Sequence, residues 1–440
     1  MWTPREYLLS TCLRVRAKHS GRWGQLMKKT VCAALTLGLS CSTAATAVPN
    51  LATLTLQQQL LGQINLTTTL GNLTQTAASI DRSIQGRVIV GNNATFASGA
   101  SVCTIRCSGN TSAPIDINSK TFGALTVFGN TSAPTISATG ATSYLSIGSG
   151  AFDNEGTISG NYLLNSNGGS NERVLNVVSS AAGANVANAT AIRTTQSTFA
   201  GGNYSYNVGA GVVTGNGPTP QVSLPFESVF PFFNDYASSL FDLSSTLAAL
   251  TGAPTATPQF LPAGSTGIFN AQSDYRTILN GVTYNYGVIA TTVADLTSTV
   301  GLLGINNNGN DATFVIVRGD GANFELPTLN NFGSSKIIFD FSDATTLRFG
   351  GNFNGTVLAP LANITQQNGV LDGSIVARSL NQGAGIYDLS LFNGKLIGLA
   401  GTPATAAAVP ESASWALMLV GFGGIGAAMR RSRKAAVSFS

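Results

Sequence analysis

The chain has 440 residues, 43% of them hydrophobic and only 10% charged, with 50 glycines. Set against roughly 25% charge in an average globular protein, this is a turn-rich β composition with a neutral Ser/Thr/Asn surface, and it excludes a disordered chain and a helical bundle. The formal charge of +4 belongs to the ends: 12 basic residues face 17 acidic ones between 48 and 409, a body too acidic to favour nucleic acid or anionic lipid.

In chain order the first element is a secretory leader, residues 1–47. Lys28 and Lys29 form its charged end, Val31 to Leu39 its apolar stretch, and Ala45-Thr46-Ala47 a cleavage site before Val48. These are the three parts of an export signal, and Met27 is a candidate true start. Cys12, Cys32 and Cys41 leave with the leader, so Cys103 and Cys107 remain in VCTIRCSGN. An even pair in an exported chain reads as a local disulfide, since C-x3-C is neither a redox nor a zinc spacing.

The mature chain opens with LATLTLQQQLLGQINLTTTLGNL, which mixes alternation with a short helical segment. GRVIVGNNATF, Gly86 to Phe96, is a β run closed by a Gly-Asn-Asn turn. GNTSAPID at Gly109 to Asp116 then returns as GNTSAPTI at Gly129 to Ile136, among short strands separated by Gly, Ser and Asn. A repeat at a period of about 20 predicts β-solenoid coils, each burying its apolar edge on the next. The alternative is a β-sandwich with a local duplication.

One stretch breaks the β pattern. Val229, Phe233, Tyr236, Leu240, Leu243, Leu247 and Leu250 recur at alternate spacings of four and three, which predicts a helix over about 229–251. Pro231 falls in its first turn, and Gly252 with Pro254 ends it. A single stripe of this length is expected to pack along the flank of a sheet rather than form an interchain seam. Strands return after 266, where KIIFDF, TTLRFGG, GTVLAP, GSIVAR and YDLSLF follow one another. The expected fold is therefore mainly β: a β-solenoid or β-helix-like domain over 48–398 with one long flanking α-helix, set between the signal and a C-terminal hydrophobic helix. Residues 399–408 read as a linker.

The chain ends in VPESASWALMLVGFGGIGAAMRRSRK, residues 409–434. Its apolar run from Trp415 to Met429 spans roughly 22 Å as a helix, short of the roughly 30 Å hydrocarbon core, and the basic cluster behind it would stay cytoplasmic. Pro410 and Glu411, then Trp415 and Ala416, then the apolar run, then Arg430 and Arg431 together resemble the PEP-CTERM sorting signal in its PEPxxWA form, known from Gram-negative bacteria. Ser412 departs from that pattern by replacing the second proline. The resemblance implies processing by an exosortase-like enzyme near Pro410, with transient anchoring in the inner membrane.

GRVIVGNNATF and DFSDATTLRFGGNFNGTVLAPLANITQQNGVLDGSIVARSL resemble the choice-of-anchor A domain through the Gly-Asn turn, the Ala-Thr-Thr strand, the Leu358 to Pro360 corner and the Gly373 to Ala377 strand. That resemblance implies an exported, surface-attached adhesive domain and transfers no catalytic site or cofactor. Neutral faces rich in Asn, Thr and Ser would meet extracellular polysaccharide or cell-surface ligands through many weak hydrogen bonds. The order of strands, one long helix and further strands also resembles the discontinuous β-solenoid of bacterial ice-binding and related adhesive domains.

His19 lies in the leader and is the single histidine, so the mature chain has no His-activated nucleophile and no His-based metal site. Carboxylate chemistry needs no histidine, and Asp311, Asp320, Asp340, Asp343 and Asp372 are the candidates for a glycan hydrolase or lyase; turn capping is the plainer reading. INNNGND at Ile305 to Asp311 offers oxygens to Ca²⁺ but one formal charge, which favours a polar loop. Arg318-Gly319-Asp320 spells an integrin-like tripeptide that arises often by chance. Ice binding would need a flat array of threonines at a coil period; Thr53 and Thr55 form a Thr-x-Thr pair, but it does not recur at a coil period.

Overall fold

The structure is a computed structural model describing most of residues 51–400; residues 1–50, 401–440 and the stretches 77–80, 104–114, 118–119, 136–142, 149, 165–172, 178–183, 195–198, 201–204, 209–210, 216–220, 224–229, 253–256, 299–301 and 320–324 lie outside the described residues. Ala45 and Ala47 of the leader, Cys107, and the tail from Pro410 through Arg431 are thus outside them. The described residues belong to one compact unit, Val48–Pro403.

A full coil contributes three short strands, as in Ile64–Thr68, Leu73–Gln75 and Ser83–Ile84, and each strand pairs in parallel with its counterpart one coil away. Three faces result, in a solenoid of the kind expected from the sequence. The first face is a parallel sheet. Its order is Gln221–Ser223, Ala191–Thr194, Arg173–Val177, Gly150–Asn154, Leu125–Val127, Arg87–Val90, Ile64–Thr68, Ile375–Gln382, Thr356–Gln366, Ile337–Asp340, Ala312–Arg318 and Val282–Thr292.

Spatial order here differs from chain order. The N-terminal coils climb away from Ile64–Thr68 and end at Gln221–Ser223. Helix α2, Phe230–Leu250, returns the chain to the far end, and the C-terminal coils climb back until Ile375–Gln382 closes on Ile64–Thr68 and Leu73–Gln75. The last strand of the first face therefore lies at its middle, with a neighbour on each side.

The coils are unequal in length and do not follow the period of the sequence repeat. On the first face Leu66 is followed by Val88, Val88 by Leu125, and Leu125 by Phe152, whereas Val357 is followed already by Ile375. Insertions at the corners cause this spread. The second copy of the repeated octapeptide supplies a coil strand, Thr131–Ser132. The first copy instead runs into an antiparallel hairpin, Ile115–Ile117 with Lys120–Phe122, so the repeat corresponds to no coil period.

Corners bend the chain and strand backbone donors, and asparagines take them up. Asn72 Oδ1 accepts from Asn93 N at 3.2 Å, Asn93 Oδ1 from Asn130 N at 2.8 Å, and Asn130 Oδ1 from Thr157 N at 2.8 Å. Each coil thus takes up a backbone donor of the next at the exposed corners. Gly160 shows how close the stacking is: it sits at φ 92, and a Cβ there would fall 1.9 Å from the Ala133 carbonyl oxygen.

The interior is filled by one inward residue per strand step, among them Leu66, Val88, Leu125, Phe152, Phe339, Val357 and Ile375. A second apolar layer lies outside the first face, where α2 buries Phe233, Tyr236, Leu240, Leu243, Leu247 and Leu250, the stripe read from the sequence. Tyr236 Oη and Thr67 Oγ1 are 2.9 Å apart, and Phe233 stacks on Phe128 at 4.4 Å. Helix α1, Leu51–Gln63, shares this layer through Leu54, Leu60 and Leu61. It holds the end of the domain: Gln58 Oε1 accepts from Leu396 N at 3.0 Å, and the Leu61 carbonyl accepts from Phe392 N at 3.2 Å. Both ends of the unit therefore leave from the helix-covered side.

Candidate functional site

Neither α1 nor α2 lies over the second face among the described residues; a short helix, Val293–Ser298, sits at its end against Glu325–Leu326. Its strands are Glu325–Leu326, Thr346–Phe349, the second half of Thr356–Gln366, the second half of Ile375–Gln382, Leu73–Gln75, Ala94–Thr95, Thr131–Ser132 and the start of Ile158–Leu164. Alternation along a strand puts neighbours on opposite sides. Ile364, Leu380, Leu73, Ala94 and Ile158 point into the core. The residues that follow them point outward in one continuous register: Arg348, Thr365, Asn381, Thr74, Thr95, Ser132 and Ser159. Thr74, Thr95, Ser132 and Asn381 are exposed and the others half-buried.

Successive members of this row are one strand apart, about 4.8 Å. A second, shorter row of Thr346, Asn363 and Ser379 runs beside it. Between Thr365 and Ser159 the main row holds no charged and no aromatic residue. Among the described residues, no side-chain hydrogen bond engages Thr74, Thr95, Ser132, Ser159, Thr365 or Asn381. Donors and acceptors at regular spacing thus meet solvent on a rigid sheet.

This array has one outward residue per coil and is not the Thr-x-Thr repeat at a coil period that the sequence lacks. Thr53 and Thr55 are not part of it; they lie on α1, where Thr55 Oγ1 donates to the Leu51 carbonyl. The recurrence is spatial, because coils of unequal length place equivalent residues at unequal sequence intervals. A local signal does exist. Asn72-Leu73-Thr74, Asn93-Ala94-Thr95, Asn130-Thr131-Ser132 and Asn363-Ile364-Thr365 share the pattern Asn, inward residue, hydroxyl, in which the first three asparagines are the corner residues and the hydroxyl faces out.

The carboxylate candidates are dispersed. Asp340 is buried on the first face beneath α2, where Ser244 Oγ donates to it. Asp343 is its exposed neighbour, 3.4 Å from Arg318. Asp372 accepts from Ser390 N at 3.0 Å on the third face, and Asp311 accepts from Asn285 N at 2.9 Å. Asp320 lies outside the described residues. These are the contacts of carboxylates that fix turns and edges.

INNNGND forms a turn that satisfies itself. Asn307 Nδ2 donates to the Asn310 carbonyl at 2.8 Å, Asn310 Nδ2 to the Asn307 carbonyl at 2.9 Å, and Thr313 Oγ1 to Asn307 Oδ1 at 2.8 Å. Among the described residues no group of three or more His, Cys, Asp or Glu side chains is placed to hold a metal ion. Arg318 of the Arg-Gly-Asp tripeptide is engaged with Ser342, Asp343 and the Ala248 carbonyl. Cys103 is buried and disulfide-bonded. No described helix is long and apolar enough to cross a membrane.

A second polar feature lies on the first face beyond the start of α2. Asp153 is buried and accepts from Gly123 N at 3.1 Å, Thr126 Oγ1 at 3.3 Å and Asn176 Nδ2. Burial pushes its carboxyl up to about 6, against the opposing pull of those hydrogen bonds. Asp340 is pushed up to about 7, again chiefly by burial. Neither side chain reaches the row on the second face.

Fold and face together define a discontinuous parallel β-solenoid that presents one face with a row of hydroxyl and amide side chains. The chain belongs to the family described as "Putative Ice-binding-like adhesive domain", which matches residues 59–388. No curated protein and no solved structure matches it. The matched span includes every residue of the outward row.

Proposed function

We propose that the protein is a non-enzymatic surface adhesin whose second face binds an extended, ordered polymer outside the cell, with extracellular polysaccharide as the leading ligand. The observation that carries this reading is the outward row from Thr365 to Ser159, whose side chains are unengaged by the protein and regularly spaced. Each contact to such a face is worth little alone, but many repeat along one rigid direction. The adhesive family supports a surface or extracellular location. Both ends of the domain leave from the helix-covered side, which would leave the second face clear of a tether.

In the same reading the leader directs export, with cleavage after Ala47, and Cys103 pairs with Cys107. An exosortase-like enzyme then processes the tail at the Pro410-Glu411 motif ahead of Trp415 and Ala416, with Arg430 and Arg431 left on the cytoplasmic side. Mass spectrometry of the released protein should find an end near Pro410, and a mature form retaining Trp415 would count against sorting.

The face itself is tested by a glycan and matrix-protein binding screen beside a polysaccharide-degradation assay. Thr74→Lys and Thr95→Lys place long charged side chains in mid-row at exposed positions. They should abolish binding while leaving the unfolding free energy within about 0.5 kcal/mol of wild type, as surface changes do. Binding unaffected by both changes, or turnover of a glycan, would sink the reading.

Ice is the second reading, favoured by the lattice-like row of Thr, Ser and Asn without intervening charge. It predicts inhibition of ice recrystallisation that Thr95→Lys removes. The two readings separate on whether the wild-type protein binds polysaccharide above freezing.

A further inference from the structure

Helix α2 is tied to the C-terminal coils by two polar contacts near its end. Ser244 Oγ donates to Asp340 Oδ1, and Arg318 Nη2 donates to the Ala248 carbonyl at 2.9 Å. Arg318 Nη1 also lies 3.1 Å from Ser342 Oγ and 3.4 Å from Asp343 Oδ2. Asp340 is fully buried, and its Oδ2 has no hydrogen-bond partner. One guanidinium therefore stands near two carboxylates and holds the exposed one.

The surroundings of Asp340 are otherwise apolar or uncharged. Its row neighbours are Ile316 and Leu358, and α2 presents Ser244. Arg318 on the Ala312–Arg318 strand and Asp343 in the following turn are the charged groups acting on it. The N-terminal half of α2 is fixed differently, by Tyr236 with Thr67 and by Phe233 on Phe128. Burial drives the Tyr236 hydroxyl further up from its ordinary value, away from neutrality.

We propose that Ser244, Asp340, Arg318 and Asp343 form a pH-controlled latch: when Asp340 gives up its proton, Arg318 leaves Ala248 and Asp343 for it, and the last turns of α2 come free of the sheet. An ionised Asp340 would carry one orphaned oxygen in an apolar layer, a costly state, and Arg318 is the cation able to relieve it. Once Arg318 moves, the end of α2 loses the cation that caps its last carbonyls. The carboxyl's midpoint, pushed up to about 7 by burial, puts the change within the range an exported protein meets.

Hydrogen exchange of the full chain tests this, with rates corrected for the intrinsic effect of pH. Protection of amides in 244–251 should fall about tenfold between pH 6 and pH 8, because one pH unit above its midpoint about ten carboxyls are ionised for each neutral one. Amides in 232–238 should keep their protection. Asp340→Asn should abolish the dependence. Asp343→Asn should move its midpoint to lower pH, since it removes a repelling charge and frees Arg318. Protection of 244–251 that does not change with pH, or a dependence that survives Asp340→Asn, would overturn the proposal. If Asp340→Asn fails to fold, the direction of the Asp343→Asn shift decides.

Discussion

At Asp153 three donors, from Gly123, Thr126 and Asn176, converge on a buried carboxyl. The Asn176 Oδ1 beside them has no partner, and turning the amide would offer that oxygen to a protonated Asp153. Folding raises the carboxyl from 3.8 to about 6, so the folded state holds the proton more tightly than the unfolded one. The resulting stability is full below about pH 4 and lost as pH rises through 6, worth up to about 3 kcal/mol. Asp153→Asn should keep the hydrogen bonds through a turned Asn176 and flatten this part of the profile. Urea unfolding at pH 4 and pH 7 checks it: the wild type should lose more stability over that interval than the variant. Asp340 acts with the same sign over the same range, so some pH dependence should persist. A sequence can show that Asp153 exists but not that it is buried, because burial depends on Thr126 and Asn176, which belong to the coils on either side.

At the scale of elements, what could be read from the sequence was what depends on short-range periodicity. The stripe from Phe233 to Leu250 repeats every three or four residues, and that spacing is a property of the helix alone. Leu243 is buried, and Leu243→Ala should cost about 2–5 kcal/mol, as for a well-packed core leucine. The polar tie on the same stripe has a more particular signature. Tyr236→Phe leaves the buried Thr67 hydroxyl without its partner and should cost about 1–3 kcal/mol. Adding Thr67→Val removes both groups and should recover part of that loss. Denaturant melts of the two single variants and the double variant measure the coupling, and strict additivity would show that the hydroxyls do not interact. The outward row was harder to read, since Thr74, Thr95, Ser132 and Ser159 are neighbours in space but follow one another at unequal intervals along the chain. Corner insertions destroy the period while preserving the Asn-x-Thr/Ser tripeptide that marks most of these coils.

For the whole molecule, strands could be anticipated but their order could not, because the order depends on which coil closes on which. Nothing local in GSIVARSLNQ announces that Ile375–Gln382, near the end of the domain, pairs with Ile64–Thr68 near its start. Loop-closure entropy makes such a contact slow to form, yet it sets the pattern of stability. A strand in the middle of a parallel sheet has both its edges paired, whereas one at an end exposes half its donors and acceptors to water. Ile375–Gln382 is paired on both sides, with Thr356–Gln366 and with Ile64–Thr68 and Leu73–Gln75, and α1 grips the residues that follow it. This strand near the C-terminal end of the domain, which chain position alone would expect to fray, should therefore be among the last to open. Native-state hydrogen exchange should rank amides of 356–366, 375–382 and 64–68 as the most protected. Those of the end strands 221–223 and 275–279 should exchange through local opening at much lower free energy. Faster exchange in 375–382 than in 173–177 would show that the two halves do not share the join that this pairing describes. Slow exchange at the join with fast exchange at both ends would mean that a load applied through the C-terminal segment enters at the most stable point of the solenoid.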